Sequence, residues 1–201
     1  MRAPPRFDTS AIAPSLRERL RAATAARHAA LDERLTALGF FSSPAGYLQF
    51  LRRSWHFQHG LECALDAAQA AEVITDWPRR HRAQLIEHDL AALGSAPPHT
   101  DLSFRGDLRG GPAAILGAAY VLEGSTLGGQ FLLKQVARLG WDARRGASFL
   151  AGHGEAHART WNAFLACLAR HDLPGFAFDE AARAAGDAFD FARDCYTLDE
   201  T

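Results

Sequence analysis

The sequence predicts an all-α, single-domain protein. Apolar residues recur at spacings of three and four along successive segments, which is the period of one helix face. Runs that alternate with period two, the pattern of a half-buried strand, are missing from the sequence. The chain has 201 residues, of which 48% are apolar, and can bury one substantial core. We expect this helical domain to span residues 15–197, with a flexible N-terminal arm at 1–14 and a C-terminal tail at 198–201.

Caps and chain breakers set the predicted helix boundaries. Ser15 and Glu18 form a capping box ahead of the first helix, and Ser43-Pro44 is a favoured N-cap and first-turn pair. Residues 95–111, which hold prolines, glycines and alternating charges, are predicted to form the one long loop. The predicted helices span residues 15–38, 43–71, 78–94, 112–139, 146–171 and 179–196.

Charge, hydropathy and cysteine usage exclude several classes of partner. A formal net charge of −1 and the lack of a basic run argue against nucleic acid and anionic membrane surfaces. No stretch reaches the ~18 apolar residues of a membrane span, and the N-terminus lacks the apolar core of a secretory signal. Three widely spaced cysteines are typical of reduced thiols. We therefore expect a cytoplasmic protein without nucleic-acid or membrane partners.

The predicted helix 112–139 is interrupted by three glycines, Gly124, Gly128 and Gly129. Each interior glycine costs a helix about 1 kcal/mol relative to alanine, so the group needs a compensating reason. Tyr120, Gly124 and Gly128 are spaced four apart and share one stripe of the helix. Such a stripe is either a trough for something flat and bulky or the crossing point of two close helices. The glycine spacing alone does not decide between them.

His28 stands out among nine histidines because Asp32 follows it by one helical turn. The carboxylate can accept a hydrogen bond from Nδ1–H and leave the other ring nitrogen for a metal. A lone histidine on an apolar helix face is otherwise more often a core residue. His28 is therefore a candidate metal ligand whose assignment needs support from elsewhere in the chain.

Other metal and catalytic motifs are weak. His153 and His157 lie four apart, but the zincin motif requires a glutamate where Gly154 stands. No glutamate is followed by a histidine three residues later, as a di-iron carboxylate bundle would need. Ser125 lies in a predicted helix interior with no preceding strand, which argues against a hydrolase nucleophile elbow.

Two separated segments together resemble the bacterial heme oxygenases. One is Arg21-Ala-Ala-Thr-Ala-Ala-Arg-His28 with the following Asp32-Glu33, and the other runs from Ala119 to Gln130 through the three glycines. The similarity is to the branch associated with bacteriophytochromes and with iron acquisition, and covers nearly the whole chain. It implies a heme-oxygenase-like helical bundle with a glycine-kinked distal helix.

Site residues follow from this resemblance position by position. His28 matches the proximal ligand to heme iron, and Arg21 and Tyr120 fall where bacterial members contact a heme propionate. Ser125 stands where mammalian members have an aspartate that organises distal waters. We therefore expect proton delivery through water held by Ser125 and by backbone carbonyls that the helix break frees. The residues implied to form the distal pocket over the heme are Gly124, Ser125, Gly128 and Gly129.

The resemblance also implies the reaction. Heme b would be both substrate and cofactor, cleaved to biliverdin, ferrous iron and CO with O2 and electrons from an external reductant. A ferredoxin- or flavodoxin-type protein is the expected donor, and a bacteriophytochrome is a candidate recipient of biliverdin. The alternative is a heme-binding or heme-delivery protein of the same fold that does not turn heme over. A thiaminase-II-like hydrolase would need a cysteine nucleophile near acidic residues, and Cys63, Cys167 and Cys195 lie on alanine- or aromatic-rich segments instead.

Overall fold

The computed structural model describes residues 13–99, 102–152, 154 and 157–198. Helices account for the regular structure of these residues, and the short 3₁₀ turns lie between them. The all-α fold predicted from the sequence is confirmed. The α-helices are α1 (Leu16–Leu38), α2 (Pro44–Ala67), α3 (Ala83–Ala92), α4 (Pro112–Gly124), α5 (Gly129–Ala137), α6 (Ser148–Ala151), α7 (His157–His171) and α8 (Phe178–Thr197).

The predicted caps at the first two helices are confirmed. Ser15 Oγ accepts from the backbone N–H of Glu18 at 3.3 Å, and the Ser15 backbone N–H donates to Glu18 Oε2 at 2.8 Å. Ser43 Oγ accepts from the backbone N–H of Gly46 at 3.1 Å. These bonds satisfy N–H groups that have no partner inside the helix, which fixes where α1 and α2 begin.

Two predicted helix ends differ from the structure. The second helix ends at Ala67 rather than about residue 71, since Gln69 adopts a left-handed conformation with φ +61°. Pro78 lies in a 3₁₀ turn, Trp77–Arg79, and α3 begins only at Ala83. The fixed φ of proline is compatible with the first turn of an α-helix and with that of a 3₁₀-helix, so Pro78 alone did not distinguish the two.

The single helix predicted over 146–171 is wrong. The structure has the one-turn helix α6 and the longer α7, with Gly152 and Gly154 between them. Both glycines have a φ of +53°, a conformation that breaks a right-handed helix. Of the two histidines of the zincin comparison, His153 lies outside the described residues, as do the arm over residues 1–12 and the tail over 199–201.

The packing of α4 against α8 forms the centre of the core. The face of α8 in this contact is built from small side chains, all of them buried: Ala181, Ala184, Ala185, Ala188 and Ala192. Gly117 lies on α4 where the helices approach most closely, and a Cβ there would overlap the carbonyl group of Ala181. Small residues therefore set the spacing of this helix pair.

Helix α8 also packs against α1, so it supports both helices that carry predicted site residues. The apolar face of α1 is buried at Leu16, Leu20 and Thr24. Beyond these turns the neighbouring helices leave the face open, and His28 has a side chain that is 63% exposed. His28 is therefore not a core histidine of this structure. Among the described residues, no helix is long and apolar enough to cross a membrane.

We predict that Gly117→Ala lowers the free energy of unfolding by about 2 kcal/mol or more, because the new methyl group meets backbone that cannot rotate away. Urea denaturation with an unchanged m-value would measure this. Gly124→Ala, at the end of the same helix, is the control. Its Cβ meets no atom within 4 Å, so its stability should stay unchanged or rise by up to about 1 kcal/mol. Equal losses in both variants would contradict this account of the α4–α8 contact.

Candidate functional site

The glycine segment is a helix break without unusual backbone angles. Helix α4 ends at Gly124, the 3₁₀ turn Ser125–Gly128 follows, and α5 begins at Gly129. The φ values of these glycines are −61°, −76° and −56°, which any L-residue can adopt. Conformational freedom therefore does not explain them. The remaining explanation is the missing side chain.

The two interpretations of the glycines apply to different residues. A Cβ at Gly124 or Gly128 would meet no atom within 4 Å, so this stripe faces open space. A Cβ at Gly129 would lie 2.5 Å from the carbonyl oxygen of Leu150 on α6. Gly129 is buried and serves helix packing in this structure, whereas Gly124 and Gly128 leave an open trough.

His28 is oriented by the carboxylate one turn away. Its Nδ1 lies 2.9 Å from Asp32 Oδ2, and its ring meets Phe189 edge-on with centroids 5.8 Å apart. Because a carboxylate only accepts hydrogen bonds, this contact places the proton on Nδ1. Nε2 of the neutral ring then carries a free lone pair, the form in which imidazole binds a metal. Phe189 itself is buried on α8.

Tyr120 and two arginines form a cationic group where α1 faces α4. Burial raises the pKa of the Tyr120 phenol, and the charges of Arg17 and Arg21 oppose this rise. Arg17 also lies over the Trp161 ring, 5.9 Å from its centroid. Among the described residues, no carboxylate lies within ion-pair distance of either arginine. Arg21 and Tyr120 were expected from the sequence, whereas Arg17 was missed although its i, i+4 spacing to Arg21 was available.

A recess of about 410 Å³ between α1 and α8 differs in charge from the group around Tyr120. Two of its arginines are already paired, since Arg27 Nε lies 3.3 Å and Arg193 Nη1 2.9 Å from the carboxylate of Asp190, whereas Arg34 has no ion pair among the described residues. Neither His28 nor a glycine of the broken segment lines it. Most of the positive charge of this recess is therefore already compensated, in contrast to that of Arg17 and Arg21 beside Tyr120.

Two large apolar side chains beside the glycine stripe are exposed. Leu127 is 49% exposed and Phe131, one turn further on, is 68% exposed. Phe131 follows Gly124 and Gly128 by seven and three residues, so it lies on the same side of the helix. The open stripe therefore has an apolar rim that the described protein does not cover.

Side-chain hydroxyls satisfy carbonyls that the helix break frees. Ser125 Oγ donates to the Leu122 carbonyl and Thr126 Oγ1 to the Glu123 carbonyl, each at 2.7 Å. The end of an α-helix leaves such carbonyls without backbone partners. The sequence analysis expected carbonyls freed by the helix break to hold water. These two carbonyls already accept a hydrogen bond from a side chain, so each has only its second acceptor position left for water.

Ser125 has a second partner that the sequence did not indicate. Arg82 Nη2 donates to Ser125 Oγ at 3.1 Å, although the two residues are 43 positions apart. In the amide orientation that satisfies both neighbours, Gln58 accepts from the same Nη2 at 2.6 Å and donates to Glu62 Oε1 at 3.2 Å. The Arg82 guanidinium also lies over the Phe149 ring, 5.0 Å from its centroid.

Glu62 fixes the backbone of Arg82. Its carboxylate accepts from the backbone N–H of Arg82 at 2.7 Å and from that of Ala83 at 3.3 Å, and so caps α3 from a different helix. Burial raises the pKa of Glu62, and the bond from Arg82 opposes that rise. Nothing in the local sequence pattern signals a cap of this kind, because its two halves lie on α2 and α3.

A second buried cation lies close to this network. Arg80 Nη1 donates to Glu123 Oε2 and Nε to Asp76 Oδ1, both at 2.7 Å. Burial raises the pKa of Glu123, while the charges of Arg80 and then Arg82 oppose the rise. Two arginines and two carboxylates are thus buried directly behind the end of α4.

Comparison with known proteins connects this geometry to one family. The heme oxygenase family model matches residues 14–197. The heme oxygenase PigA of Pseudomonas aeruginosa is 34% identical over 173 residues, which cover 86% of each chain. The crystal structure of an NO- and CO-bound heme oxygenase from Neisseria meningitidis superposes with a TM-score of 0.79, at 27% identity over 93% of this chain and 94% of the other.

Adjacent glycines of the broken segment provide a test of their separate roles. We predict that Gly129→Ala lowers the free energy of unfolding by about 1–3 kcal/mol, because its methyl group collides with the Leu150 carbonyl. Gly128→Ala should leave it unchanged or raise it by up to about 1 kcal/mol. Thermal and urea unfolding of the protein without added ligand would measure both. A loss at position 128 as large as that at 129 would show that the trough is packed in solution.

Proposed function

The chain belongs to the heme oxygenase family, and we propose that it cleaves heme b oxidatively to biliverdin, ferrous iron and CO. It is an enzyme of that family. The observation that carries the detailed proposal is the pairing of His28 with Asp32, which prepares Nε2 as a ligand on an exposed helix face. The residues proposed to act on heme are Arg21, His28, Tyr120, Gly124, Ser125, Gly128 and Gly129, with His28 as the metal ligand.

The donor set fits heme iron. With His28 as the ligand, one neutral imidazole would hold the iron, and no second protein ligand is proposed. Asp32 holds the ring in one tautomer, and Phe189 packs against its edge. In this proposal, the buried phenylalanine supports the ligand from α8, and the carboxylate increases the basicity of the coordinating nitrogen.

The surface shape fits a flat macrocycle. Gly124 and Gly128 allow the α4–α5 backbone to approach a ring closely, and Leu127 and Phe131 offer apolar area to cover it. Gly129 contributes indirectly, because its contact with Leu150 sets how α5 departs from the break. Exposed aromatic and aliphatic side chains beside such a trough gain stability when a ligand buries them.

The polar end of the site fits carboxylate groups. Heme b carries two propionates, and Arg17, Arg21 and Tyr120 supply charge and a hydroxyl donor, with no carboxylate of the described residues within ion-pair distance of either arginine. We propose that Arg21 and Tyr120 bind propionate, as the resemblance implies, and that Arg17 adds a second positive charge.

Bound heme supplies the iron that activates dioxygen and the ring that is oxidised. The protein residues bind and orient this group, and Ser125 holds water on the distal side. We propose that electrons come from an external ferredoxin- or flavodoxin-type protein, that the reaction takes place in the cytoplasm, and that a bacteriophytochrome is one recipient of the biliverdin.

We predict that the purified protein, given hemin, a chemical reductant and air, loses its Soret band and forms biliverdin. His28→Ala should abolish turnover, because no other residue is proposed to hold the iron, and its hemin spectrum should differ from that of a histidine-ligated complex. Absorption spectra and chromatography of the extracted pigment would measure both. His88→Ala is the matched control, since His88 is 65% exposed and also neighbours an aspartate.

Two results would contradict this proposal. A Soret band that persists without biliverdin in the wild-type protein would favour the heme-binding or heme-delivery alternative. A His28→Ala protein with unchanged spectrum and turnover would show that another histidine holds the iron.

Propionate binding can be tested with two iron porphyrins. We predict that Arg21→Gln weakens hemin binding by about 3- to 10-fold, the range of one exposed ion pair or hydrogen bond to a charged group. Binding of iron etioporphyrin, which lacks carboxylates, should not change. Fluorescence quenching of the tryptophans would give both affinities. Equal losses for the two porphyrins would mean that Arg21 acts on the fold rather than on carboxylates.

A further inference from the structure

The inference concerns Arg82 and rests on the proposed function, since it names a further residue of the same site. The hydrogen bonds of Ser125 are its starting point. A serine hydroxyl has one proton and two acceptor positions. The Ser125 proton is donated to the Leu122 carbonyl, and one acceptor position takes the Arg82 N–H. Ser125 therefore retains one acceptor position and no free proton, so a water at this serine must act as the donor.

Several interactions hold Arg82 in place, so its hydrogen bond to Ser125 is not incidental. Its residue is 5% exposed, its backbone is capped by Glu62, and its Nη2 is shared between Ser125 and Gln58. Its guanidinium lies over the face of Phe149. A buried cation fixed on several sides holds the groups around it in one arrangement. In contrast, Ser125, at the other end of the same hydrogen bond, is an exposed residue.

We propose that Arg82 is a positioning residue of the distal side: its guanidinium holds the Ser125 hydroxyl as a hydrogen-bond acceptor toward the heme. The Arg82 N–H withdraws electron density from Ser125 Oγ, which makes this oxygen a weaker acceptor for the proton of a distal water. A hydrogen bond that the neutral water donates stabilises its un-ionised form. A weaker acceptor and a nearby positive charge therefore both favour ionisation of the water. Arg82 thereby favours ionisation of distal water through a serine that donates no proton itself.

The alkaline transition of the ferric hemin complex reports this ionisation in the visible spectrum. Arg82→Gln should raise the midpoint of the transition by about 0.5–1 pH unit, because it removes both the hydrogen bond and the charge. In a Ser125→Ala background the same substitution should raise it by less than half as much, since the serine that transmits the effect is gone. A role in folding alone would leave the midpoint unmoved in every variant that retains the Soret band.

Arg82→Lys covers the case in which the glutamine variant does not fold. Lysine keeps the charge but cannot bridge Ser125 and Gln58 with one planar fork, so it should raise the midpoint by a smaller amount. Arg80→Gln is the matched control, as Arg80 is 2% exposed, lies over Phe164 and bonds Glu123. It should lower the melting temperature and move the midpoint by less than Arg82→Gln does, because Arg80 makes no hydrogen bond to Ser125.

A midpoint unchanged in Arg82→Lys, or equal shifts with and without Ser125, would overturn the inference and leave the heme oxygenase assignment intact. A wild-type protein that gives no histidine-ligated hemin spectrum would instead overturn the assignment of His28 as the heme ligand.

Discussion

The close approach of α4 to α8 is the constraint on which the rest of the structure depends. Alanines along α8 and Gly117 on α4 bring the two backbones together, and no larger side chain fits at position 117 without displacing Ala181. Because α8 also packs on α1, this contact fixes both the helix that ends at the glycine break and the helix that carries His28. The spacing of small residues in the core thus determines the relative placement of the two sides of the proposed site.

The glycines show why a sequence motif can be recognised before its physical role is known. Three glycines in six residues allowed two explanations, an open trough or a close helix crossing, and the surroundings of the three residues differ. Gly129 faces the Leu150 backbone, while Gly124 and Gly128 face open space at ordinary helical angles. Composition alone could not separate them, because the difference lies in what stands opposite each Cα. That neighbour is α6, a helix of one turn that periodicity had merged with α7.

The local features of the fold were predictable from the sequence, and the contacts between distant helices were not. The Ser15–Glu18 capping box, the Ser43 cap and the pairing of His28 with Asp32 all act within four residues, so spacing identifies them. The break between α6 and α7 was missed because Gly152 and Gly154 adopt positive φ, which glycine permits but does not require. Arg82 was missed because only tertiary structure brings it to Ser125.

The buried charges explain how a broken helix keeps a defined geometry. A helix that ends inside a protein leaves carbonyls unsatisfied, and here Ser125 and Thr126 satisfy two of them. Those hydroxyls would be free to rotate if nothing else held them. Arg82 fixes one, and it can lie buried at this point only because carboxylates compensate its charge, with Glu62 capping its backbone and Glu123 close to its guanidinium. Removing one member would leave an uncompensated buried charge, so these residues depend on one another. Burial lowers the pKa of Arg82, and the charges of Glu123 and then Glu62 oppose that change. The break is therefore supported by buried charged side chains, and a segment poor in side chains holds the Ser125 hydroxyl through two defined hydrogen bonds.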